Sequence, residues 1–168
     1  ISSKEIIGFQ KNYEILEVKE SIDRKMNKLF KDFFIKGEIA LKSLQFLTKK
    51  YDLDIGFFFQ KDSLYKKGIE KLENGSKSDQ MLAKMLIDDR KWRTLFSEIR
   101  SKIEHGGLSL GNIKYRHQKE DVTAYIPMIN GVEIDQVVTI LEKNVFEFVE
   151  DLIVHMVDKN LKDPFCIV

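Results

Sequence analysis

Glu98-Ile99-Arg100-Ser101-Lys102-Ile103-Glu104-His105-Gly106-Gly107 closes a long amphipathic run. Ile99 and Ile103 stand four positions apart and share one face of a helix, and the two glycines supply the left-handed conformation in which helices end. Read backwards from this stretch, Phe96, Leu95, Trp92, Leu86, Met85 and Leu82 extend the stripe, so the spacing predicts a central helix from about Asp79 to His105.

The same periodicity recurs on both sides. Over residues 12–36, Ile15, Ile22, Met26, Leu29, Phe30, Phe33 and Phe34 repeat at helical spacing, and Ala40, Leu41, Leu44, Leu47 and Tyr51 continue the stripe beyond Gly37. The reading favours a break into two helices at Gly37; one long helix, in which the glycine permits close packing, is the alternative. Phe57-Phe58-Phe59 is too apolar for an exposed loop and is expected to plug the core, with a partner surface as the other use. Ser63 to Glu73 reads as a short helix capped by Ser63 or Asp62 and ended by Asn74-Gly75, and Ser78 is placed to cap the central helix. After Gly107 the period changes to two: Asn112–His117 and Val122–Met128 alternate like strands around a polar turn at Gln118–Asp121. Asn130-Gly131 is a turn, and Ile134–Val157 forms a last helix. There Ile140, Phe146, Ile153 and Val157 widen the apolar face beyond one stripe, which implies either deep burial or a dimer seam. His155 lies in this apolar company and reads as a satisfied core or interface histidine. Residues 163–168 read as a tail.

These segments predict an all-α fold, a four- to five-helix bundle with an appended β-hairpin near residues 112–128, in a single domain spanning 1–168. Composition agrees: 43% hydrophobic residues with 12 Phe are ample for one core, and two prolines and nine glycines in 168 residues leave long uninterrupted segments. No run of 18 apolar residues offers a membrane span. The single cysteine, Cys166, excludes an internal disulfide, supplies no metal framework and lies one position short of a prenylation box, which together fit a cytoplasmic protein. The start at Ile1 shows neither an initiator Met nor a signal-peptide pattern, so the chain is expected to be part of a longer one. Phosphate-binding glycine loops, His/Cys/carboxylate metal sets and nucleophile elbows are missing from the sequence, and no cofactor is expected.

Chemistry concentrates at Arg100 and His105. An ideal helix separates positions i and i+5 by roughly 140°, so the two converge only where the helix ends and the backbone turns away. The partial negative charge of a helix C-terminus favours imidazolium at His105. With a phosphodiester between them, the arginine would stabilise charge on the phosphoryl oxygens, and the histidine would move protons to or from a 2′-hydroxyl or a leaving oxygen. That scheme needs no metal. The structural alternatives are an ion pair of Arg100 with Glu104 or Glu98, and a His105 side chain that caps a terminal carbonyl.

Arg100, Ser101, three further residues and His105 near the end of a core helix resemble the motif of the HEPN superfamily, in which Arg is followed by a polar residue, often Asn, and then by His. Here Ser101 takes the polar position and Glu104 completes the motif's surroundings. The resemblance implies a helical fold over about residues 12–160 and a metal-independent endoribonuclease of a toxin or defence system. It implies a homodimer in which two motifs meet across the interface, both Arg100 side chains hold the scissile phosphate, and His105 acts as general acid or base to leave a 2′,3′-cyclic phosphate. A non-catalytic dimerisation or protein-docking module of the same family is the alternative, and an antitoxin or a nucleotidyltransferase is the partner such proteins keep.

The charge distribution bears on RNA as a ligand. Net charge is +1, but Lys84–Lys119 holds nine Lys/Arg against four Asp/Glu, whereas Gly131–Asp163 holds eight acidic residues against three basic ones. Arg93, Lys102, Lys114 and Arg116 are therefore expected to line the approach to the motif, with Tyr115 and Tyr125 interleaved for base stacking. Ordinary solubility and cross-strand packing are the other uses of such residues.

Overall fold

The computed structural model describes residues 15–17, 21–118 and 121–160. Among them are four α-helices, α1 (Ser21–Lys50), α2 (Asp62–Glu73), α3 (Lys77–Glu104) and α4 (Ile134–Asn160), with a 3-10 turn at Gly56–Phe59. Five short strands complete the set: β1 (Ile15–Glu17), β2 (Lys114–Gln118), β3 (Asp121–Tyr125), β4 (Met128–Ile129) and β5 (Val132–Glu133). The fold is mostly α with appended β-hairpins, as the periodicities predict. The centre of the polar turn (119–120) and the tail with Cys166 lie outside the described residues, as does much of the stretch before α1.

The chain divides into two compact units, residues 1–33 with 102–140 and residues 34–101 with 141–168. In the first, β2 pairs antiparallel with β3, Lys114 opposite Tyr125 and Arg116 opposite Thr123, and β1 adds a third strand with Ile15 opposite Arg116. Ile15 thus belongs to a strand and not to the predicted first helix; Ile15-Leu16 suits an extended edge segment as well as a helix start, and pairing with β2 decides it. β4 and β5 form a second hairpin around Asn130 (φ 51°) and Gly131 (φ 81°), both left-handed as a type I′ turn requires. Asp23, 2% exposed in the first turn of α1, accepts the Ile113 backbone N–H at 3.0 Å and so anchors the chain just before β2. Phe30, Leu110, Ile129, Ile134 and Val137 are buried in this unit.

The second unit is built on aromatic rings. Phe58 is fully buried and stacks on Phe148 at 5.0 Å with a 19° interplanar angle, Trp92 meets Phe148 edge-on at 5.6 Å, and Phe34 lies 4.9 Å from Phe96. The middle phenylalanine of the triplet plugs the core as expected, while Phe57 and Phe59 are half-buried.

Gly37 does not break α1. The helix runs through it because a side chain there would meet Phe96 Cζ at 2.7 Å: the residue is small to admit a ring, the alternative use of the glycine. The helix ends instead at Lys50 and the chain turns away at Asp52 (φ 56°), whose N–H is donated to Lys49 O while that of Leu53 goes to Thr48 O, a pattern in which Asp takes the usual place of glycine. At the start of α3 the cap is Ser76 and not Ser78: Asp79 N donates to Ser76 Oγ at 3.2 Å, and Asp79 Oδ2 accepts from Ser76 N at 3.0 Å. Lys61, with no side-chain cap bond, precedes α2, so neither Asp62 nor Ser63 caps it. In α4, Ile140, Phe146, Ile153 and Val157 are all exposed, which removes deep burial as the reason for its wide apolar face.

Candidate functional site

Near the end of α3, Ile99 and Ile103 are 3% and 9% exposed, so the apolar edge of its last turn is buried. The chain leaves the helix at Gly106 (φ 70°). The Gly106 N–H goes to Ile103 O at 3.4 Å, and the N–H groups of Gly107 and Leu108 go to Lys102 O at 2.8 and 3.2 Å. Backbone donors therefore serve these two terminal carbonyls, and His105 sits at the cap position, exposed, its ring in no hydrogen bond or ion pair among the described residues. Capping by its side chain is thereby excluded. Ser101, Lys102 and Glu104 are exposed, and Arg100 is half-buried at the stripe's edge.

Arg93 is buried and paired rather than displayed on the surface. Its side chain is 4% exposed, and its Nη2 lies 3.1 Å from Glu38 Oε1, to which it donates, and 3.1 Å from Oε2. Burial lowers its proton affinity below the ordinary arginine value, an effect that Glu38 opposes and that the positive charges of Arg90 and Arg100 reinforce. Every helix position next to the stripe looks alike in sequence, and nothing in the spacing ties residue 38 to residue 93. Lys114 is exposed and Arg116 half-buried; alternation along β2 puts their Cβ atoms on one sheet face with Tyr125, the cross-strand neighbour of Lys114. Arg93, Arg100 and Ser101 belong to the second compact unit, whereas Lys102, Glu104, His105, Lys114 and Arg116 belong to the first.

No family model, no curated protein and no solved structure matches the chain.

Arg90, which sequence reading left unassigned, organises the loop after the 3-10 turn. Its Nη1 donates to Phe58 O at 2.7 Å, its Nη2 donates to Gln60 O and to Asp62 Oδ1 at 3.0 Å each, and the guanidinium lies 4.3 Å from the Tyr65 ring centroid. Between this loop and α3 is a recess of about 300 Å³ walled by Phe59, Lys61, Arg93, Ser97, Glu98 and Ser101. The first unit has a larger apolar hollow of about 560 Å³, bounded by Met26, Phe30, Ile113, Ile134 and Val138. Among the described residues no three His, Cys, Asp or Glu side chains cluster as metal ligands, and no helix is long and apolar enough to cross a membrane.

His155 is half-buried, and its Nε2 has no hydrogen-bond partner among the described residues, so it is not satisfied as a core histidine within the chain. Burial depresses its proton affinity below the ordinary value of 6.5; Lys159 adds to this, and Asp79 and Asp158 oppose it. A depressed folded value means that the unfolded chain takes up the proton first. The stability that neutral His155 contributes is therefore complete above about pH 6.5 and is lost as pH falls towards the folded value. Denaturant titrations at pH 7.5 and 5.5 should show a smaller loss of stability on acidification in His155→Gln than in the parent. Equal losses in the two proteins would remove His155 from the acid response.

Proposed function

We propose that the chain is a HEPN-like, metal-independent endoribonuclease that works as a homodimer in the cytoplasm, in a toxin or defence role. One observation carries this reading: the Arg100-x4-His105 spacing falls at the end of α3, where the Gly106-Gly107 cap leaves His105 exposed with its ring nitrogens uncommitted among the described residues. An uncommitted imidazole at a helix C-terminus is suited to take and return a proton, and a positioned general acid or base contributes about 10²–10⁴-fold to rate. In the homodimer, Arg100 of each chain would hold the scissile phosphate. Lys102, Lys114 and Arg116 would contact neighbouring phosphates, which makes binding fall with salt.

The test is incubation of the parent and of His105→Ala with single-stranded and structured RNA in EDTA, with analysis of product ends and of oligomeric state. Cleavage by the parent that leaves 2′,3′-cyclic phosphate, reduced at least 100-fold in a His105→Ala protein of unchanged oligomeric state, is expected. Equal cleavage by both would sink the assignment.

A second reading, a non-catalytic module that dimerises or docks a protein such as an antitoxin or a nucleotidyltransferase, is favoured by a different observation. Phe146, Ile153 and Val157 recur at helical spacing on α4 and are 63%, 46% and 49% exposed, an apolar face of the kind that partners cover. Intact RNA with a dimeric chain would move the reading there.

A further inference from the structure

We propose that the recess between the 59–61 loop and α3 is an oxyanion site for the phosphoryl group of a ligand, with Arg93, Lys61 and the hydroxyls of Ser97 and Ser101 as donors. The inference is independent of cleavage at His105.

Arg93 carries it. Glu38 engages one nitrogen of the guanidinium, and the other two, Nε and Nη1, are buried with no hydrogen-bond partner among the described residues. A buried donor without an acceptor is costly, and for a cation more so, which makes an incoming oxyanion a favourable occupant. Arg93 and Phe59 both line the recess, with the Phe59 ring 5.1 Å from the guanidinium carbon, so an oxyanion entering there reaches the unmatched donors by a small shift of the ring. Of the three cations at the recess, Arg90 is paired with Asp62 and Arg93 with Glu38, which leaves Lys61 beside the single lining carboxylate, Glu98. Arg90 is engaged by Phe58, Gln60 and Asp62 and serves as scaffold, whereas the Lys61, Ser97 and Ser101 residues are exposed. A volume of about 300 Å³ admits one phosphoryl group with part of what carries it.

The ligand is either a small phosphomonoester or a phosphodiester of a nucleic-acid backbone, and one titration separates them. The Arg93 Nε–H resonance of the whole chain is followed with inorganic phosphate, 5′-AMP and a 2′-O-methyl RNA oligonucleotide, each against chloride of equal ionic strength. A saturable displacement with phosphate and AMP alone assigns a monoester site; displacement by the oligonucleotide as well assigns a backbone site. Lys61→Glu, an exposed substitution, should weaken binding at least tenfold, and the paired replacement Glu38→Leu with Arg93→Met should abolish the phosphate-induced rise in Tm. An unmoved Arg93 resonance with all three probes overturns the proposal, as does undiminished binding by Lys61→Glu.

Discussion

Glu38→Ala is expected to destabilise the chain by about 3–5 kcal/mol, because it strands the Arg93 guanidinium in a site where its side chain is 4% exposed. The Coulombic attraction of a buried pair is largely offset by the desolvation of both ions, so the pair as a whole contributes little. The loss on removing one member comes from the charge left behind. Glu38→Leu combined with Arg93→Met should therefore recover most of that stability, and the coupling between the two sites in a double-mutant cycle should be large and non-additive. Urea denaturation of the four proteins measures it. A Glu38→Ala protein within about 1 kcal/mol of the parent would show that Arg93 finds another acceptor or reaches water.

Phe58→Ala should cost a similar amount, about 3–5 kcal/mol. The Phe58 ring is fully buried against Phe148 at 5.0 Å and meets Phe59 edge-on at 5.3 Å, while its carbonyl is held by Arg90. Truncation removes ring contacts on several sides and leaves a void that Phe148 and Trp92 fill only by leaving their packed arrangement. Phe58→Leu keeps most of the volume and should lose markedly less. With typical domain stabilities near 5–15 kcal/mol, the alanine variant will stand close to the unfolding threshold at 25 °C. A loss below about 1 kcal/mol, read from the denaturant midpoint at constant m, would mean that the 3-10 turn collapses into the space without strain.

The helices were legible because each carries its own local evidence. Ile99 and Ile103 mark a buried face, Gly106-Gly107 mark an end, and the structure terminates α3 there through Gly106 in the left-handed region. What stayed hidden depends on distant partners. Ile15 became a strand because β2 pairs with it, and Gly37 was kept for a ring that belongs to residue 96. The burial of Arg93 is set by Glu38, fifty-five positions away, which no periodicity reveals. The motif itself was readable as spacing, and its chemical setting was readable in part: a glycine cap is written in the sequence, but the bonding of the Lys102 and Ile103 carbonyls by backbone N–H groups, with the His105 ring left unused, is not.

The fit of Phe96 over Gly37 makes α1 and α3 keyed to one another in the second unit. Sliding either helix along its axis by one residue, about 1.5 Å, would carry the ring off the only position between Lys36 and Glu38 that has no side chain. The contact behaves as a detent. Axial sliding of α1 against α3 at this point therefore has to begin by withdrawing the ring.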